Sequence, residues 1–155
     1  MVPVMILNGP DSSLALEILG YEFRQPCGET YDDNWLSVRI SVRHPRGNWT
    51  SVDPSLQTTE AAALAEWLAA IGTEAEVAVG PTFIEPNLAF RISGEEPGNR
   101  SLRVYFELES RPNWAPSTFG PVEDLWIDVS LEEQQLQAAA ASLRAALKQF
   151  PFREG

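Results

Sequence analysis

The sequence predicts an α+β fold: a mostly antiparallel β-sheet of about seven or eight strands with two α-helices packed on one face. Three observations predict it. Residues 34–43 and 101–111 alternate apolar and polar side chains, the period of a half-buried strand. Leu64, Trp67, Leu68 and Ile71 recur at helical spacing, as do Leu136, Ala140, Leu143, Leu147 and Phe150. The order strands, helix, strands, helix suits an antiparallel sheet backed by helices better than alternating βαβ units.

In chain order, residues 3–8 and 13–23 read as two strands joined by the turn Asn8-Gly9-Pro10-Asp11. In the second strand Leu14, Leu16 and Ile18 point inward and Glu17 outward. Residues 25–29 form a loop. In 34–43, Leu36, Val38, Ile40 and Val42 share the inner face. His44-Pro45-Arg46-Gly47-Asn48 is a turn, and the return strand from Trp49 is expected to stop at Asp53-Pro54. Thr58 or Thr59 caps a helix running to about Ile71, with Glu60 in its first turn and Gly72 as its C′ glycine. Residues 76–79 are a candidate short strand. Residues 82–92 form another, disturbed at Pro86, with Ile84, Leu88, Phe90 and Ile92 inward and Glu85, Asn87 and Arg91 outward. Residues 94–99 are a loop, and 123–129 the last strand. Ser130-Leu131-Glu132-Glu133 has the form of a capping box opening the second helix, which runs to about Gln149 before Pro151.

The chain has 155 residues, so a single domain spanning 1–155 is expected. Acidic residues number 22 and basic ones 11, a net charge of −11, with 11 acids in each of 1–80 and 81–155. That charge argues against binding nucleic acid or anionic membrane, and favours a basic partner. One Cys and one His, Cys27 and His44, leave no intrachain disulfide, no cysteine-rich zinc site and no two-histidine metal site. Phosphate-binding glycine motifs and the nucleophile elbow do not occur, so no cofactor is expected. The first ten residues lack a basic n-region and the apolar run of an export signal, so a cytoplasmic protein is expected.

Sorting side chains by strand face gives the candidate site. In 101–111, Leu102, Val104, Phe106 and Leu108 point to the helices, and Arg103, Tyr105, Glu107, Glu109 and Arg111 point away. In 123–129, Leu125, Ile127 and Val129 point in, and Asp124, Trp126 and Asp128 point out. The helix-free face thus gathers Tyr105, Glu107, Glu109, Asp124, Trp126 and Asp128, aromatic anchors beside carboxylates, which is the composition of a partner-binding surface. Glu107 and Glu109, two apart on one strand, also have the carboxylate spacing of an inverting glycosidase, roughly 7 Å.

Several motifs follow one another along the chain. Gly20-Tyr21-Glu22-Phe23 precedes Tyr31-Asp32-Asp33-Asn34-Trp35-Leu36, Trp49-Thr50 and Asp53-Pro54-Ser55-Leu56-Gln57-Thr58. Glu66-Trp67-Leu68 and Phe83-Ile84-Glu85-Pro86-Asn87-Leu88-Ala89-Phe90 come next. Val104-Tyr105-Phe106-Glu107-Leu108-Glu109-Ser110-Arg111-Pro112-Asn113-Trp114 and Phe150-Pro151-Phe152-Arg153 complete the set. This ordered set, over about residues 5–153, resembles the WapI family of bacterial immunity proteins. One departure is Pro112-Asn113-Trp114, where the family has two prolines before the aromatic residue. The resemblance implies a small cytoplasmic protein that binds and neutralises a contact-delivered toxin; the toxin named with the family is a cell-wall-associated protein whose C-terminal domain cleaves tRNA. It carries over no catalytic residues. Trp35, Trp67 and Trp114 are expected to pack in the fold rather than touch the toxin. Two readings stand beside it: a carboxylate-based enzyme, and a toxin-independent interaction module, each using the open sheet face.

Overall fold

The computed structural model describes residues 3–73, 80–96, 99–116 and 120–154. The elements are β1 (Val4–Asn8), β2 (Ser13–Tyr21), a one-turn helix α1 (Thr30–Asp33), β3 (Trp35–Arg43), β4 (Trp49–Gln57), α2 (Thr58–Ile71), β5 (Leu88–Glu96), β6 (Asn99–Phe106), a 3-10 turn (Leu108–Ser110), β7 (Trp126–Glu132) and α3 (Glu133–Gln149). The class is α+β, with seven described strands, all paired antiparallel. They divide into two meanders, β1-β2-β3-β4 and β5-β6-β7, separated in sequence by α2. Helix α3 packs on α2, β1 and β7, so the helices bridge the two sheets.

The inner faces read from alternation hold in β2, β3, β6 and β7, but not at Ile84, expected inward and found exposed. Leu14, Leu16, Ile18, Leu36, Val38, Ile40 and Val42 are buried, and Leu102, Val104, Phe106, Leu125, Ile127 and Val129 join them from the second sheet. With Leu64, Leu68, Ile71, Leu136, Ala140 and Leu143 they form one hydrophobic cluster. Trp67 is buried in it; Trp35 is buried as well, and Tyr31 packs edge-on against Trp35 with ring centroids 5.6 Å apart. The outward Glu17 pairs with Arg39 across the β2–β3 ladder at 3.0 Å.

Several boundaries differ from the sequence reading. Strand β2 ends at Tyr21 rather than 23, β6 runs Asn99–Phe106 rather than 101–111, and β7 runs Trp126–Glu132 rather than 123–129. Strand β4 does not stop at Asp53-Pro54 but continues to Gln57, through a register shift opposite Leu36–Val38 that accommodates the proline. The caps lie one or two residues away from the expected ones. Gln57 and Glu60 form the box at α2, and Glu132 and Gln135 that at α3, leaving Ser130 inside β7. Gly72 is right-handed (φ −73°), so it is not a left-handed cap; a side chain there would instead meet Leu136 and Gln137 of α3. Residues 94–96 extend β5 rather than opening a loop, with Glu96 opposite Asn99. Strand β5 itself begins only at Leu88: Ile84 is 59% exposed, and Asn87, expected outward, is buried. The candidate strand at 76–79 lies outside the described residues.

The motifs quoted above meet in space through buried polar side chains. Asn34 is fully buried. Its amide donates to the Thr30 and Arg153 carbonyls, both at 2.7 Å, and its oxygen accepts from Thr58 Oγ1 at 2.9 Å and Arg153 N at 2.8 Å. Arg153 donates to the Phe23 and Arg24 carbonyls and lies 3.4 Å over the Tyr21 ring. Glu60 accepts from both Gln57 N and Ile84 N, and Asn87 donates to Asp53 at 3.2 Å. Asn34 is tolerated in the interior because both ends of its amide are hydrogen-bonded, whereas the buried Oδ1 of Asn87 has no partner among the described residues. These hydrogen bonds pin the C-terminal segment and the approach to β5 onto the first sheet.

Candidate functional site

Three of the six candidate residues come together on the outer face of β6 and β7. Tyr105 stands opposite Trp126 in the ladder, with ring centroids 5.9 Å apart, and Arg103 stands opposite Asp128. Arg91 of β5 is opposite Arg103. Two arginines side by side on one face repel each other. Here each has its own counter-ion: Arg103 donates to both Asp128 oxygens, at 2.9 and 3.2 Å, and Arg91 pairs with Glu123. Each guanidinium also lies over a ring, Arg91 over Tyr105 at 5.0 Å and Arg103 over Trp126 at 4.7 Å. Asp128 and Tyr105 together push the Arg103 pKa further up, so its charge is permanent. The result is a patch of two rings tilted 57° to each other and flanked by charge-balanced arginines, with Trp126 38% exposed.

The other three candidates are placed differently. Glu107 is not on the outer face: it is 2% exposed. Strand β6 ends at Phe106, and Leu108 adopts φ 49°, a left-handed conformation that breaks the alternation. The carboxylate turns inward and accepts from Arg111, from Val122 N and from Glu123 N, at 3.2, 3.2 and 2.8 Å. Arg111, also expected outward, is buried beside it and donates to the Phe106 and Ala115 carbonyls. This buried pair therefore clasps the segment leading into β7. Asp124 is exposed as expected, but it precedes the strand. It binds the same Arg111, whose hydrogen bond holds the Asp124 carboxyl below its ordinary range. Glu109 is exposed on the 3-10 turn rather than on a strand. Burial, then the charge of Glu109 and more weakly those of Glu85 and Glu22, raise the pKa of Asp53. Glu107 and Glu109 thus share no face, and the carboxylate pair of the glycosidase reading is dismantled. Among the described residues no group of three or more His, Cys, Asp or Glu side chains could hold a metal.

A residue that sequence reasoning left as turn chemistry stands beside the patch. His44, in the β3–β4 hairpin, accepts from Arg46 N through Nδ1 at 3.0 Å, which leaves the proton of the neutral ring on Nε2. Burial and then the Arg46 charge lower its pKa, against a smaller upward pull from the Trp126 backbone. Its centroid is 5.3 Å from Trp114 and 5.9 Å from Trp49, and Arg46 lies 4.7 Å over Trp114. Trp49 packs edge-on against Phe106 and donates to the Ser110 carbonyl. Trp114 is thus edge packing, as expected, although 36% of it is exposed. Gly47 has φ 145° and lies so close to Trp114 that a Cβ would come 3.1 Å from its indole nitrogen. Between this hairpin, the β1–β2 turn and β7 lies a cleft of about 360 Å³.

The model of the immunity protein WapI-like family matches residues 5–151, nearly the whole chain. The chain belongs to that family. The match spans both sheets and all three helices, so the polar junctions around Asn34, Glu60 and Glu107 lie inside the family region. No curated protein and no solved structure matches the chain. As a member of an immunity-protein family, the chain has a toxin protein as its implied partner. No helix among the described residues is long and apolar enough to cross a membrane.

Proposed function

We propose that this chain is a non-catalytic immunity protein of the cytoplasm, one domain that binds and blocks a basic nuclease toxin through the outer face of β5, β6 and β7. The observation that carries the reading is the Tyr105–Trp126 pair framed by Arg91 and Arg103, each arginine already neutralised by a carboxylate. Aromatic and arginine side chains held rigid before contact lose little entropy on binding and are the types that dominate interface energies. Asp128 borders this patch through Arg103, whereas Asp124 binds Arg111 ahead of β7, Glu107 is buried and Glu109 stands on the 3-10 turn. Inhibition by occlusion needs only a complementary surface. The net charge of −11 speeds the approach of a basic partner, as long-range attraction raises association rates.

The test begins with the reading frame immediately upstream of this gene, expected to encode a large secreted protein with a variable C-terminal domain. That domain, expressed alone, should be toxic, and co-expression of this chain should restore growth. Toxicity undiminished by co-expressed, folded chain would refute the reading.

A further inference from the structure

The cleft beside Trp126 is bounded by Asp11 and Ser12 from the β1–β2 turn, His44 and Pro45 from the β3–β4 hairpin, and Trp126 and Asp128 from β7. Its volume, about 360 Å³, is at the low end of the roughly 300–1,000 Å³ of small-ligand sites, enough for one long side chain. Its polar inventory is one-sided. Asp11 is exposed at the mouth and makes no ion pair or hydrogen bond among the described residues. Ser12 is only 7% exposed, yet its hydroxyl has no hydrogen-bond partner among the described residues. Ser12 lines the cleft, and its hydroxyl keeps its donor and lone pairs for an occupant. Asp128 uses one acceptor position on each oxygen for Arg103, which leaves others open.

The cations nearby do not compete for the space. Arg103 lies over Trp126 and is bound to Asp128; Arg46 lies over Trp114. His44 accepts from Arg46 N through Nδ1, and burial and the Arg46 charge lower its pKa. Arg43, opposite Ser13, is held on Ser13 Oγ at 3.1 Å. The opening is therefore held by fixed walls, and Asp11 is the carboxylate there without an ion pair among the described residues.

We propose that this cleft seats an arginine side chain of the partner, its guanidinium donating to Asp11, Ser12 Oγ and Asp128 beside the Trp126 ring. A guanidinium fits because it offers five donors in a planar fork, matching several acceptors at once. The proposal rests on the immunity reading and deepens it: the aromatic patch supplies the contact area, and the cleft selects a partner with an arginine at that point.

The test uses the full chain and a single-residue probe. N-acetyl-arginine amide is titrated into nitrogen-15-labelled protein, and the Trp126 indole N–H and Ser12 amide are followed by NMR, with N-acetyl-citrulline amide as the neutral isostere. The expected result is a saturable shift at both positions with the arginine compound and none with citrulline. Asp11→Asn and Ser12→Ala, each checked for native circular dichroism, should weaken binding several-fold. Equal shifts from citrulline, no saturable shift, or wild-type binding by both variants would overturn the proposal. No toxin enters this titration, so its failure leaves the immunity reading standing. Failure of protection in co-expression would count against that reading and not against a measured guanidinium site.

Discussion

Glu107→Ala removes the carboxylate that holds the end of β6 to the segment before β7. In the native chain Glu107 and Arg111 are both buried and in contact at 3.2 Å. Removing one member of a buried ion pair costs roughly 3–5 kcal/mol, because the other charge stays buried without compensation. Arg111 keeps Asp124 as a second counter-ion, which places the loss toward the lower end. The freed Val122 and Glu123 amides belong to exposed residues and can turn to water, so they add little. The expected loss is therefore about 3 kcal/mol, or roughly 6–12 °C in Tm for a chain of this size. Urea unfolding followed by tryptophan fluorescence measures it. Replacing both partners, Glu107→Leu with Arg111→Met, should recover most of the loss, since an apolar pair leaves no charge stranded. A Glu107→Ala variant within about 1 kcal/mol of wild type, at unchanged denaturant slope, would refute the clasp.

The other expectations concern the core, the cleft wall and the hairpin histidine. Phe106→Ala empties a fully buried position and should cost roughly 3–5 kcal/mol in the same unfolding assay. Gly9→Ala would place its Cβ 2.5 Å from the Asp128 carbonyl oxygen, so the β1–β2 turn must move off β7; about 1–3 kcal/mol of stability should be lost, read as a lower urea midpoint. The His44 ring should titrate below 6.5 in an NMR pH series. Because its folded pKa is depressed, the unfolded chain takes up the proton first. Its contribution to stability is whole above about pH 6.5 and is lost as pH falls through the folded value. A His44 midpoint at or above 6.5 would contradict the burial argument.

Much of the fold was legible because alternation and helical spacing report which side of an element meets the core. The inner faces of β2, β3, β6 and β7 and the stripes of α2 and α3 were read correctly for that reason. The alternation failed at Glu107, where a backbone turn at Leu108 ends the strand while the pattern of residue types continues. A buried Glu–Arg pair four residues apart has the same sequence signature as two solvated charges; only the partners Val122 and Glu123, 15 and 16 residues on, distinguish them. Ser130-x-x-Glu133 and Glu132-x-x-Gln135 both have capping chemistry, and packing chose the second by keeping Leu131 in the core. In the candidate site, Tyr105, Trp126 and Asp128 were legible from face sorting. His44, Asp11 and Ser12 were not, because two hairpin turns far apart in sequence meet β7 only in the folded chain.

The most direct test of the central claim is the affinity of the purified toxin domain from the upstream frame for wild-type chain, Trp126→Ala and Tyr105→Ala, by isothermal titration calorimetry. Both side chains are on the surface of a sheet whose core they do not enter, so both variants should keep the wild-type circular dichroism spectrum. The account predicts nanomolar binding by the wild type and a loss of ~2 kcal/mol or more in at least one variant, roughly thirtyfold in Kd. Two folded variants that bind the toxin domain as tightly as the wild type would contradict it and move the interface to another face of the molecule.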